Sequence, residues 1–224
     1  MPVECLVHPA APLPPADLVS ALEKLATSLV SDVFGRWAGA PGILPIAGLA
    51  PGRVVAGPAL TVRTRPGDNL VVHKALDIAR PGEIVVVAAG GATDRAILGS
   101  LMAHHARRRG IAALVVDGAV RDRADLETYG PPVFAAGVSH LGPYKDGPGE
   151  LRGPVALGGL AVRDGDLVVA DLDGVAVIPR ERAEEILRLA EAKREAEQAE
   201  RRAIEAGTWD RAWIDAALDL RAAP

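Results

Sequence analysis

Cysteine and aromatic residues are scarce in this chain. Its one cysteine, Cys5, rules out an internal disulfide and a thiolate metal cluster, and fits a reducing cytoplasm. Aromatic residues make up only 3% of 224 residues while apolar residues make up 49%, so Ala, Val, Leu and Gly must do the packing. No apolar run approaches the ~18 residues of a membrane span. The N-terminus, MPVECLVHPAAPLPPADL, has neither the basic nor the apolar region of a signal peptide, so a cytoplasmic location is expected. There is no excess of positive charge: the net charge is −4, which argues against nucleic acid as a main ligand. Walker, GxSxG, HExxH, CxxC and GxGxxG motifs are all missing. Nucleotide hydrolysis, serine-hydrolase, zincin and dinucleotide chemistries therefore have no foothold.

What is present is a βαβ-like stretch from Gly90 to Asp122. An apolar run, 84–89, leads into Gly90-Gly91. A helix-length segment, read as 93–109, contains Gly99. A second apolar run, 111–116, reaches Asp117-Gly118, read as a turn, and then Arg121-Asp122. Open α/β sheets bind ligands at the C-terminal ends of such strands. Arg121 offers a planar fork for carboxylate or carbonyl oxygens. Asp122 offers a hard oxygen ligand for a divalent cation. Neither helps a core, although a surface arginine beside a helix-start carboxylate is the structural alternative. The glycines suggest close backbone approach nearby.

Other candidates weigh less. His104 and His105 are adjacent on a helix and diverge by about 100°, so they cannot chelate one metal as an i, i+4 pair would. His73 reads as structural, and Cys5 lies in a proline-rich arm. Arg107-Arg108-Arg109 reads as a solvated helix end that complements the helix dipole.

The remaining pattern predicts a single domain over 1–224. Residues 1–15 form an extended arm and 16–37 one amphipathic helix with Leu18, Leu22, Leu25, Leu29 and Val33 on one face. A loop covers 40–51, a strand 54–64, a short helix 69–79 and a strand 83–89. A short helix is expected at 123–129, a strand at 133–136 and a loop over 137–153. Strands at 155–163, 166–171 and 174–178 are divided by Asp-Gly turns. The segment 180–224 is a helical extension: a long charged helix over 180–206, then a small apolar patch of Trp209, Trp213, Ile214 and Leu218. Helices mixed with late hairpins suggest a layered α/β domain with a mixed central sheet.

The pieces GPALTVRT, DNLVVHKALDIARPGEIVVVAAGG, AILGSLMA, GIAALVVDGAVRD and GDLVVADLDGVAVIP, with the late Glu-rich helix, together resemble one family. It is that of the class II 4-hydroxy-4-methyl-2-oxoglutarate aldolases and the regulators of ribonuclease activity A. The resemblance runs from about Thr27 to about Gly207. It implies a swivelling β/β/α domain of the phosphohistidine type, built into trimers or hexamers with sites at subunit interfaces. It implies that Arg121 contacts the keto oxygen of a pyruvyl group and that Asp122 binds Mg2+, or Mn2+ or another divalent cation. The amides after Gly99, at Leu101 and Met102, would hold the substrate carboxylate. Glu197 would reach a neighbour's site through metal-bound water. The expected activity is release of pyruvate from 4-hydroxy-2-oxo acids, or decarboxylation of oxaloacetate. The rival reading is a protein-interaction regulator of ribonuclease E. The chain departs from the aldolases at one position: they commonly have Asp or Glu where it has Ser100, which can hold water but brings no charge.

Overall fold

Apolar residues on both faces of consecutive strands force a sheet covered on both sides. The computed structural model, which describes residues 2–219 and 221, shows such a sheet. In chain order the elements are β1 (Cys5–Val7), α1 (Ala16–Leu22), α2 (Thr27–Val33), β2 (Leu44–Ala47), β3 (Val55–Thr64), α3 (Leu70–Ile78), β4 (Ile84–Ala88) and β5 (Ala96–Leu98). There follow α4 (Ser100–Arg108), β6 (Ala113–Val120), α5 (Arg123–Tyr129), β7 (Val133–Val138), β8 (Gly149–Leu151), β9 (Val155–Leu157), β10 (Leu160–Val162), β11 (Leu167–Asp171) and β12 (Gly174–Ile178). A 3-10 turn at Arg180–Arg182 leads into α6 (Ala183–Glu205), which α7 (Ala212–Ala217) follows.

The main path of the sheet is β1-β8-β3-β4-β6-β7-β2. Its centre, β3, β4, β6 and β7, is parallel; β8 on β3 and β2 on β7 are antiparallel, so the sheet is mixed. Side chains alternate between two cores. On β4, Val85 and Val87 pack with Val72 and Leu76 of α3, Ala103 and Ala106 of α4 and Leu126 of α5. Ile84 and Val86 face the other way, toward Val155, Leu157 and Val162 of the β9–β10 hairpin and Val168 and Val177 of β11–β12. A third cluster seats Leu22 and Leu25, with Leu29 and Val30 of α2 and Ile186 and Ala190 of α6, against Val169 and Ile178 on the outer face of that ribbon. The result is the expected β/β/α layering with a long C-terminal helix. No helix among the described residues is long and apolar enough to cross a membrane.

The extended arm is tied to the body: β1 pairs in parallel with β8, and the Ala11 amide donates to Asp164 at 2.8 Å. Several expectations are corrected. The helix expected over 16–37 breaks into α1 and α2. The Thr27 amide and hydroxyl donate to the Asp171 carboxylate at 2.9 and 2.6 Å, which fixes a separate start for α2. The expected loop 40–51 contains β2, and the loop 137–153 contains the end of β7 and all of β8. The strand expected over 155–163 folds on itself as β9 and β10. The helix expected to begin near Thr93 begins at Ser100, because Ala96–Leu98 is fully buried and pairs with Ala119 and Val120 as β5. Asp117-Gly118 is not a turn. It lies inside β6, where the register shifts between Val116 and Ala119. Of the C-terminal apolar residues, Trp209, Trp213 and Leu218 are exposed.

Candidate functional site

β5 and β6 end side by side. β5 hands over to Gly99, the N-cap of α4, and β6 to Arg121-Asp122 at the start of α5. Asp122 sits in the left-handed region (φ 60°, ψ 42°), which is uncommon for a residue with a side chain. Its carboxylate does not cap its own helix. It reaches across to α4 instead, where Oδ2 accepts the Ser100 amide at 3.0 Å and the Ser100 hydroxyl at 3.3 Å. The Arg121 Nε lies 3.7 Å from the same oxygen. Such local strain is a recurrent mark of sites whose surroundings over-determine the backbone.

A cleft of about 370 Å³ opens here, lined by Gly99, Ser100, Leu101, Met102, Arg121 and Asp122. Every site residue expected on one chain is therefore gathered in one place. The first-turn amides of α4 have no acceptor within the helix, and the positive end of the helix dipole points with them. Leu101 is 84% exposed, so its amide, not its side chain, is what it offers. Gly99 is required by closeness: an added Cβ would collide with the Asp122 carboxylate and lie 3.0 Å from Arg121 Cγ.

Glu197 is not in this cleft. It lies on α6, 3.3 Å from Lys193 and on the side of the molecule where α6 packs on α1 and α2. Gly90-Gly91 do not line the cleft either, and the Gly91 amide donates to the backbone of Asp117. Asp117 stays on β6 outside the cleft. Burial raises its carboxyl above the ordinary aspartate value, partly offset by the Gly91 amide.

Residues not assigned to the site by sequence also line it: Asn69, His73, Asp125, Pro143 and Lys145. Asn69 stands just before α3, and its side chain ties the walls together. Its Nδ2 donates to the Ile97 carbonyl at 2.8 Å and approaches Met102 Sδ at 3.2 Å, while Oδ1 accepts from Lys145 at 3.3 Å. His73, read from sequence as structural, belongs to the cleft. Desolvation by its neighbours first, then the Lys145 charge, lower its pKa below that of ordinary histidine, although Asp77 pulls the other way. His104 stacks on Tyr129, and His105 lies 3.4 Å from Asp77.

Among the described residues, no group of three or more His, Cys, Asp or Glu side chains is close enough to hold a metal ion. A zinc-like site with three or four nitrogen or sulfur ligands does not fit this donor set. A small hard cation does fit. It binds through one or two carboxylates, keeps several waters and accepts substrate oxygens. Asp122 supplies one carboxylate, with Asp125 in the same cleft.

A family model described as RraA-like, Aldolase/RraA, matches residues 27–177. A protein of Halalkalibacterium halodurans, named "Putative 4-hydroxy-4-methyl-2-oxoglutarate aldolase", is 42% identical over 150 residues, 67% of this chain and 71% of that protein. The crystal structure of an uncharacterized protein from Pseudomonas syringae superposes with a TM-score of 0.78 at 27% identity, covering 89% of this chain and 93% of that one. Streptomyces coelicolor RraAS2, described as an unusual member of the RNase ES inhibitor RraA protein family, gives a TM-score of 0.75 at 29% identity, covering 84% and 98%.

Proposed function

The chain belongs to the RraA-like aldolase/RraA family, and on that premise we propose that it is a divalent-metal-dependent carbon–carbon lyase. It releases pyruvate from 4-hydroxy-2-oxo acids of the 4-hydroxy-4-methyl-2-oxoglutarate type and decarboxylates oxaloacetate. The observation that carries this reading is the convergence of Arg121, Asp122 and the free end of α4 on one cleft. The Leu101 and Met102 amides receive the substrate carboxylate, as helix N-termini do. Arg121 donates to the C2 oxygen. As the bond from C3 to C4 breaks, its electron pair moves into the C2 carbonyl, and the fixed guanidinium is worth most when that oxygen is most negative. Asp122 would hold Mg2+ or Mn2+, which when bound supplies Lewis-acid charge at the 2-oxo group. Protonation at C3 then gives pyruvate.

The two reactions differ in one need. Retro-aldol cleavage must remove the proton of the C4 hydroxyl, whereas decarboxylation releases CO2 and needs no such base. Ser100 hydrogen-bonds Asp122 and steadies it but takes no proton at neutral pH. Metal-bound water is the candidate base; Ser100 leaves it one carboxylate short, and Glu197 of a second copy in a trimer or hexamer would reach it. Glu197→Ala is then expected to impair turnover but not folding. A fully active monomer by light scattering at micromolar concentration would refute the shared site.

The test is pyruvate release from both substrates with and without Mg2+ or Mn2+. Metal-dependent release that a chelator abolishes supports the reading, and full activity in chelator overturns it. The description of the Streptomyces relative as an RNase ES inhibitor family member keeps a second reading in play, a protein-interaction regulator. Capture of ribonuclease E together with no metal-dependent turnover would favour it.

A further inference from the structure

Asp68 is completely buried between β3 and α3, yet it belongs to none of the three hydrophobic clusters. Its carboxylate is fully engaged. Oδ1 accepts the Leu70 amide at 2.9 Å; Oδ2 accepts the Asp146 amide at 3.0 Å, the Gly147 amide at 2.8 Å and Arg65 Nη2 at 3.0 Å. Two of these donors lie in the loop that carries Pro143 and Lys145 into the cleft. The backbone adds to the clamp: the Asn69 amide donates to the Tyr144 carbonyl at 3.1 Å and the Tyr144 amide to the Gly67 carbonyl at 2.8 Å. Burial alone would raise the Asp68 carboxyl, but the three amides and the Arg65 charge outweigh it and hold the group below the ordinary aspartate value. It is a fixed anion at neutral pH. Gly147 fits against it without room to spare, since a Cβ there would lie 2.9 Å from Asp68 Cγ.

A buried ionised carboxylate is costly unless fully paired, and a hydrophobic plug could close this junction as well. What a plug could not do is fix the height of one loop over the cleft. Lys145 leans on Asn69 Oδ1 alone among the described side chains, so where the loop sits decides where its ammonium sits. We propose that Asp68 is a positioning residue that acts through Lys145, holding the ammonium over the cleft to bind an oxygen of the oxo-acid substrate. This rests on the reading of the cleft as an oxo-acid site.

The test is a double-mutant cycle read by binding. Oxalate, a planar dianion of two joined carboxylates, is titrated calorimetrically in the presence of Mg2+. Asp68→Asn turns a pure acceptor into a group with donors facing donors. It is expected to weaken oxalate about tenfold, within the range for hydrogen bonds to charged groups. Lys145→Ala should weaken it similarly, and the double variant no more than Lys145→Ala alone. Gly147→Ala, which disturbs the same clamp from the loop side, should show the same non-additivity, and it carries the cycle if Asp68→Asn does not fold. Full additivity overturns the proposal, as does wild-type oxalate affinity in either Asp68→Asn or Lys145→Ala. If the wild-type protein binds no oxalate, the oxo-acid reading falls and the proposal with it. If the wild type binds and the cycle is additive, only the proposal falls.

Discussion

Replacing Gly99 by alanine tests the site at the point where its parts are closest. Gly99 has φ −140° and ψ −167°, extended backbone that alanine adopts freely, so the change costs nothing in the main chain. The cost falls on the neighbours. The new methyl would lie 3.0 Å from Arg121 Cγ and 3.1 Å from its Nε, and it overlaps Asp122 Oδ2 outright. Either Asp122 leaves the Ser100 amide, now 3.0 Å away, or α4 backs away from β6. Losing a hydrogen bond to a charged acceptor costs about 1.5–3 kcal/mol. At about 1.4 kcal/mol per decade that is roughly tenfold to hundredfold in rate if the bond holds the reactive geometry. Misplacing catalytic groups by about 1 Å costs about 10²-fold by itself. We expect kcat for metal-dependent pyruvate release to fall about 100-fold. The displaced groups are partly exposed and need not stay unpaired, so Tm should drop by no more than about 2–4 °C. Coupled pyruvate detection and a melting curve on the same preparation decide it. Wild-type kcat in Gly99→Ala would mean that Asp122 does not work from the position it holds here, and the assignment of Arg121, Asp122 and α4 to one reacting centre would fail.

Arg121→Lys should lose kcat more than KM, because one ammonium cannot replace the planar fork as the enolate charge develops; near-normal kcat would remove Arg121 from the transition state. Ser100→Asp should raise retro-aldol cleavage over oxaloacetate decarboxylation by about tenfold, since only the former needs a base. An unchanged ratio of the two kcat/KM values would show that the carboxylate absent at Ser100 does not limit removal of the C4 proton. Acid should unfold the protein through its buried carboxylates. Burial would raise Glu83, but Arg152 and Arg80 hold it below its ordinary 4.5, and Asp68 is held below its ordinary 3.8. Groups depressed in the fold stabilise it above their unfolded values and lose that contribution as pH falls below them toward the folded ones. The urea midpoint should therefore drop as pH falls below about 4.5; a midpoint unchanged between pH 5 and 3 would contradict this.

The strands most legible in sequence were those with long apolar runs, because burial on both faces leaves β4 and β6 no other reading. The short ones were not. β5 is three residues long, too few to show a period of two, and its apolar residues run into the stripe of α4, so helix and strand merged into one helix from Thr93. Arg121 and Asp122 stood out because two charged residues directly follow a buried strand. Lys145 and His73 did not. They reach the cleft from an irregular loop and the exposed side of α3, brought there by Asp68 and Asn69, and no local spacing in the sequence records a contact between residues 69 and 145. Lys145 is the lone lysine of a loop otherwise rich in Gly and Pro, which is the one signal that could have flagged it.

Gly90-Gly91 makes the site possible at one remove. β4 pairs with β6 only as far as Asp117. Beyond that point the same edge of β6 would be left with unpaired amides and carbonyls, a buried cost that the fold must avoid. The chain turns away from the sheet through Gly90 and Gly91, at φ 71° and 70°, a conformation that side chains disfavour. It returns as β5 to pair with Ala119 and Val120 on the edge that β4 vacated. One edge of one strand is thus served by two strands in succession, with the register shift between Val116 and Ala119 on the opposite edge, against β7. Because β5 joins so late, it ends level with β6, and α4 begins beside Arg121-Asp122 instead of a strand's length away. The glycines that looked from sequence like a ligand-contacting turn therefore act on the ligand only through what they position, the free amides of α4 opposite the Asp122 carboxylate.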